Sequence, residues 1–268
     1  MYGRLVMTAL AIGAMMNSAN GADDVVRLYS AGSLRSALTE TAAAFEKATT
    51  IKVQAKFGAS GTLKDEIIRG APVDVFTSAN MEHPDALAAA KRSGPVVLFA
   101  RNRLCVLARP GLAVSTINLM ERMLDPNVKL GTSTPLADPS GDYAWEVFRK
   151  AEKLKAGAFA ALEKKALQLV GGPSAPTAPP GRTVYAMLMT EGKADIFLTY
   201  CTNAAEAQKE NANFQLVSLP NELAVAADYG LTVMNDSPAT GHRFAMFILS
   251  AQGQRILGSH GFAAPTPP

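Results

Sequence analysis

Ile51-Lys52-Val53-Gln54-Ala55-Lys56-Phe57-Gly58-Ala59-Ser60-Gly61-Thr62-Leu63 changes period in mid-course. Ile51, Val53, Ala55 and Phe57 alternate with Lys52, Gln54 and Lys56, the pattern of a strand exposed on one face. A small Gly/Ser turn ends the alternation, and Leu63, Ile67 and Ile68 then mark a short helix. The same order occurs just upstream, where Val25 to Ser30 runs as a strand into Ala31-Gly32-Ser33-Leu34 and then a helical pattern over residues 33–48 on Leu34, Leu38, Phe45 and Ala48. Strand, tight turn and helix in succession are the unit of an α/β sheet.

The turns themselves carry chemistry. A helix start leaves backbone N–H groups without intrahelical partners and bears roughly half a positive charge, so a serine there adds a hydroxyl donor to a ready anion seat. Taken singly, Ser33 and Ser60 each read as an N-cap, a role serine fills well. As a pair they could grip one small anion.

Working outward, the N-terminus reads as an export signal. Arg4 supplies a positive start, Leu5 to Met16 is apolar and too short to span a bilayer, and cleavage is expected near Gly21 or Ala22. An uncleaved membrane anchor is the alternative. Residues 23–268 then form the exported chain, enough for one large domain or two lobes. Lys and Arg number 26 against 23 Asp and Glu, and no basic run interleaves with aromatics, so nucleic acid is not an expected partner. Cys105 and Cys201 fall in apolar, strand-like segments, where export permits a disulfide; two buried free thiols are the favoured expectation, because sequence does not say whether the strands are adjacent.

Downstream the alternation continues. Val73 to Ser78 reads as a buried strand, Asp85 to Arg92 as a helix begun by Pro84, and Arg103 to Ala108 as a strand that opens a second set of elements. That set includes a helix near Ile117 to Leu124, a strand Lys129 to Thr132, a helix from about Asp142 to Lys153 and a strand Ala194 to Tyr200. Gly171 to Gly181 contains four prolines and reads as a loop, not a domain linker, since elements of the same style resume after it. Leu231 to Met234 and the helical pattern of Phe244, Phe247 and Ile248 complete the fold.

Two more turns could face an anion. Thr134-Pro135-Leu136-Ala137-Asp138-Pro139-Ser140-Gly141 precedes one helix, Gly181-Arg182-Thr183 precedes another, and Tyr200 ends a buried strand where its phenol could reach a cleft. Each also has an ordinary reading, as a proline-stiffened helix start, an exposed arginine and a core-edge tyrosine. Catalysis is not indicated: Gly58-Ala59-Ser60-Gly61-Thr62 misses the last glycine of a nucleophile elbow, His83 sits in an acidic helix start, and His242 and His260 lie near the C-terminus without a nearby carboxylate pattern. No phosphate-binding P-loop, His-Glu-x-x-His or paired-cysteine metal motif occurs, and no cofactor is expected.

Phe57-Gly58-Ala59-Ser60-Gly61-Thr62-Leu63 followed by Gly70-Ala71-Pro72-Val73-Asp74-Val75-Phe76 resembles the periplasmic molybdate-binding proteins of ABC importers, a type II solute-binding family. Supporting stretches are Ala31 to Leu34, Pro139-Ser140-Gly141-Asp142-Tyr143-Ala144, Leu198-Thr199-Tyr200 and Gly261-Phe262, so the resemblance covers essentially the whole mature chain. It implies two α/β lobes with a ligand cleft between them, the first from residues 23–102 and 228–268 and the second from 103–227, crossing near Asn102-Arg103 and near Asp228-Tyr229-Gly230.

The resemblance also implies a site. Ser33 and Ser60 would meet the ligand through hydroxyl and backbone N–H, Ser140 through a backbone N–H, Tyr200 through its hydroxyl, and a backbone N–H at or next to Arg182 would complete the set. Molybdenum would enter only as the bound oxyanion, with no direct protein ligand. The implied function is periplasmic capture of molybdate, and of tungstate, by a monomer that delivers it to an inner-membrane ABC permease; the alternative is another small anion, sulfate-like, sulfonate or carboxylate, for uptake or sensing. Charge-assisted hydrogen bonds of roughly 1.5 to 3 kcal/mol each make five or six donors sufficient for the ~8 kcal/mol of a micromolar complex. Three features depart from the family's usual pattern: a longer loop from Gly131 to Pro139, the proline-rich loop before Arg182, and Cys201 directly after the tyrosine.

Overall fold

A computed structural model describes residues 25–265. The segment read as an export signal, residues 1–22, lies outside the described span. In chain order the elements are β1 (Val25–Ala31), α1 (Arg35–Thr49), β2 (Lys52–Gly58), α2 (Ser60–Ile68), β3 (Val75–Ser78), α3 (Glu82–Ala89), β4 (Val97–Ala108), α4 (Leu119–Leu124) and β5 (Leu130–Ser133). They continue with α5 (Pro139–Leu154), α6 (Ala158–Lys165), β6 (Leu167–Val170), α7 (Val184–Thr190), β7 (Ile196–Tyr200), α8 (Cys201–Glu210), β8 (Gln215–Ser218), β9 (Ala226–Val233), α9 (Ala239–Leu249) and α10 (Ala251–Ser259). No helix among the described residues is long and apolar enough to cross a membrane.

The fold is the two-lobe α/β arrangement of periplasmic binding proteins, and β4 joins its halves. Its first half, Val97–Arg103, pairs antiparallel with β9 in a sheet ordered β2-β1-β3-β9-β4. Its second half, Leu104–Ala108, lies between β7 and β8 in a sheet that continues through β5 to β6. The parallel pairs β1/β2, β1/β3, β5/β6 and β5/β7 put the turns after β1, β2, β5 and β7 at strand C-terminal ends, where open α/β sheets place ligands. Ala226 and Ala227, read from sequence as the end of the second lobe, already pair with Arg103 and Asn102, because β9 begins before the Asp228-Tyr229-Gly230 crossing.

Each sheet is held by apolar faces. In the first, Leu28, Leu34, Leu38 and Phe45 are essentially buried, and the Phe45 ring meets Phe244 edge-on at 5.1 Å. In the second, Phe197 packs under Tyr185 at 4.9 Å, and a Cβ at Gly131 would meet the Phe197 ring at 2.7 Å, so glycine is needed where β5 passes β7.

One expectation is overturned. Cys105 and Cys201 are not free thiols but a disulfide, with Cα atoms 4.8 Å apart. The reason is where β7 ends: β4 and β7 are antiparallel neighbours with Leu104 opposite Tyr200, and the chain leaves the sheet into α8 at Cys201, which sets Cys201 against Cys105 rather than carrying it on along β4.

Candidate functional site

Four of the five residues singled out from sequence line a single cavity of about 730 Å³ between the lobes: Ser33, Ser60, Arg182 and Tyr200. The first two come from the first lobe. Ser33 lies in the short 3-10 turn that follows β1, and Ser60 is the first residue of α2, whose N-cap is Ala59. Neither serine caps its helix through its side chain.

Their hydroxyls are instead poised as donors. Ser60 Oγ accepts a hydrogen bond from the Ala79 N–H at 3.1 Å, which leaves its own proton for the cavity. Ser33 Oγ and Tyr229 Oη are 2.9 Å apart, and Tyr229 Oη also accepts from Asn102 Nδ2 at 3.3 Å; with Tyr229 donating to Ser33, the Ser33 proton is free as well. Tyr200 is 2 % exposed, and its hydroxyl has no hydrogen-bond partner among the described residues. Burial drives its pKa well up, so it remains a donor.

Ser140 and Arg182 stand differently. Ser140 is wholly buried and does not line the cavity, its N–H donates to Asp138 Oδ1 at 3.1 Å, and its hydroxyl has no partner among the described residues. The Arg182 guanidinium is paired with Glu210 at 3.3 Å, its backbone N–H donates to Pro179 O, and the neighbouring Thr183 N–H donates to Glu210. These N–H groups are therefore already engaged.

The longer loop before Pro139 has a definite place. It crosses to the other lobe, where the Gly61 N–H at the start of α2 donates to Ala137 O at 3.0 Å, and a Cβ on Gly61 would lie 2.3 Å from Leu136 O. Tyr143 Oη donates to Ala79 O at 3.3 Å nearby. The lobes are thus latched across the cleft, and one donor of the α2 start is used by the protein.

Three charged cavity residues, Arg35, Asp138 and Glu206, escaped the sequence reading. Arg35 opens α1, with its guanidinium 4.8 Å above the Phe57 ring, no carboxylate partner among the described residues and a pKa lowered by desolvation. A first-turn arginine reads from sequence as solvated surface. Asp138 is the N-cap of α5 and sits against Gly171, where φ is +78° and a Cβ would lie 2.4 Å from Asp138 Cβ. Burial pushes its carboxyl from 3.8 up to about 6, opposed by the bond from Ser140 N–H. Its place between two prolines reads from sequence as a loop acid. Among the described residues no cluster of His, Cys, Asp and Glu could hold a metal ion.

Residues 26–263 match the family of bacterial extracellular solute-binding proteins. The chain belongs to that family. It is 35% identical over 239 residues to an uncharacterized protein of Pasteurella multocida, covering 88% of this chain and 98% of that one. It is 25% identical over 260 residues to the molybdate-binding protein ModA of Mycobacterium tuberculosis, covering 91% and 86%. Among solved structures, the Azotobacter vinelandii periplasmic molybdate-binding protein superposes with a TM-score of 0.72 at 17% identity, over 90% of this chain and all of that one. The periplasmic binding protein AfuA of Actinobacillus pleuropneumoniae, with fructose-6-phosphate bound, gives 0.68 at 13% identity over 88% and 83%. The resemblance to molybdate-binding proteins and the two-lobe fold stand; family members of this kind are solute-binding components of ABC importers.

Proposed function

We propose that this protein captures a small tetrahedral oxyanion in the periplasm and delivers it to an inner-membrane ABC permease. The observation that carries the reading is the convergence of Ser33, Ser60 and Tyr200, three hydroxyls with protons to give, on one cavity beside the turns after β1 and β2. A tetrahedral dianion offers only acceptors and matches such a donor set. Molybdate, with tungstate, is the inorganic candidate, supported by the mycobacterial relative and the Azotobacter neighbour. Arg182 would act by holding the proline-rich loop through Glu210, and Ser140 by supporting Asp138 at the start of α5. The role is binding, as in the solute-binding family to which the chain belongs. The protein acts as a monomer, and the lobes divide near 102/103 and 227/228 with β4 and β9 as hinge strands.

A second reading is favoured by size. Five heavy atoms, even at the ~30 Å³ that a water occupies in the liquid, need about 150 Å³, and the latched cavity holds about 730 Å³. The oxyanion can therefore be the head of an organic molecule. Calorimetry of the mature chain with molybdate, tungstate, sulfate and small organic anions tests the shared claim: saturable binding at one site per monomer is expected, weakened by Ser60→Ala. Absence of binding by every oxyanion would overturn it.

A further inference from the structure

The cavity offers one group that a bare oxyanion cannot use. Asp138 lines the same cavity as Ser33, Ser60 and Tyr200, and its carboxyl is near enough to Tyr200 to help raise the phenol's pKa. Asp138 Oδ1 is held by Ser140 N–H, while Oδ2 points along Gly171, where a Cβ would come within 2.8 Å of it. A fully ionised molybdate or sulfate has no proton to give this carboxylate and is repelled by it. A phosphate monoester differs: its second ionisation lies near pH 6, so one oxygen can carry a proton near neutrality.

Resting on the oxyanion reading above, we propose that the occupant is a small organic phosphate monoester whose protonated oxygen donates to Asp138 while Ser33, Ser60 and Tyr200 donate to the other oxygens. Three observations converge on it. The cavity is several times larger than a lone oxyanion in a structure whose lobes are already joined through Gly61 and Ala137. The buried Tyr200 hydroxyl is unpartnered and on the cavity wall, so the seat has a donor waiting beside the acceptor. Arg35, without a carboxylate partner among the described residues, supplies a positive charge at the cavity edge for the remaining phosphate charge or for an acidic group on the organic body.

The charge balance around Asp138 is set from every side. Asp142 on α5 raises its proton affinity, Tyr185 on α7 and Tyr200 at the end of β7 stay neutral beside it, and Glu206 on α8, Arg182 before α7 and Arg35 on α1 share the cavity. Asp138 and the ligand thus share one proton. Binding falls when the pH is high enough to remove it.

Calorimetry on the mature wild-type chain decides the matter, with glycerol 3-phosphate, glucose 6-phosphate, glucose 6-sulfate, molybdate and sulfate as probes. The two glucose esters share one body and differ in whether the head can carry a proton. A phosphate ester should bind about tenfold or more tighter than glucose 6-sulfate and molybdate, and its affinity should fall from about pH 6.5 to about pH 8.5. Asp138→Asn keeps a good N-cap for α5, since asparagine caps as well as aspartate. It should lose about tenfold or more for the phosphate ester while gaining affinity for sulfate. Molybdate or the sulfate ester binding as tightly as both phosphate esters in the wild type would overturn the inference and leave the oxyanion reading standing, even where the variant did not fold. No binding by any probe to a folded chain would remove both.

Discussion

Ser60 accepts from the Ala79 N–H and, in the proposed seat, donates to the ligand, and its substitution separates the two. Ser60→Ala removes a hydroxyl donor to a charged ligand, and we expect binding to weaken by roughly 1.5 to 3 kcal/mol, with the backbone donors of α2 unaffected; titration calorimetry checks it, and an unchanged affinity would place the anion elsewhere. Two half-buried titratable groups contribute with opposite signs in the ligand-free chain. The folded Asp138 keeps its proton up to about 6 where an unfolded chain loses it near 3.8, so the folded state binds more protons in that window and stability falls as pH rises through it. His83 has the opposite sign: burial lowers its pKa from 6.5 to about 4, so the unfolded state binds more protons and stability falls as pH drops from about 6.5 to about 4. Thermal melts across this range should show Asp138→Asn exposing the acid loss due to His83, and His83→Gln exposing the fall toward pH 6 due to Asp138. Flat, unaltered profiles in both variants would contradict these assignments. Ser33, Ser60 and Tyr200 were legible because each sits where a period ends, whereas Arg35 and Asp138 act through neighbours, the Phe57 ring and Gly171, that no local pattern announces.

Among the elements, the loop between β5 and α5 does the work of a latch. Its Leu136 and Ala137 carbonyls occupy the space in which a side chain at residue 61 would stand, and backbone atoms cannot yield as a flexible side chain can. Gly61→Ala should therefore push the loop away, cost about 1 to 3 kcal/mol as an overpacked contact, and widen the cleft. A lower melting temperature together with a larger radius of gyration by small-angle scattering is expected, and a variant with wild-type values for both would contradict the latch. The extra length of this loop was visible in sequence, but its destination was not, because the contact joins residues far apart in the chain. Long amphipathic elements such as α1, α5 and β2 announced themselves by period. β6 and β8, four residues each at sheet edges, did not, nor did α8, which begins at Cys201 directly after the strand that bears Tyr200.

For the whole molecule, two lobes joined by β4 and β9 must hold a shared cleft, and the Cys105–Cys201 disulfide reinforces one side of it. The bridge spans 96 residues of sequence and anchors the residue next to Tyr200 to the strand common to both sheets. Replacing both cysteines by alanine should cost about 2 to 4 kcal/mol, the usual range for a bridge, readable as a lower denaturant midpoint. An unchanged midpoint would contradict a formed disulfide. An α/β sheet was implied by the alternation of strands and helices, but which strands touch was not, and the cysteine pairing failed for that reason. In the proposed site Ser33, Ser60 and Tyr200 together form the anion seat. Crystals of the mature chain soaked with tungstate test it most directly, because the heavy atom marks itself by anomalous scattering. A peak in the cleft is expected, with tungstate oxygens within hydrogen-bond reach of Ser60 Oγ and Tyr200 Oη, and a bound tungstate found only outside the cleft would contradict this seat.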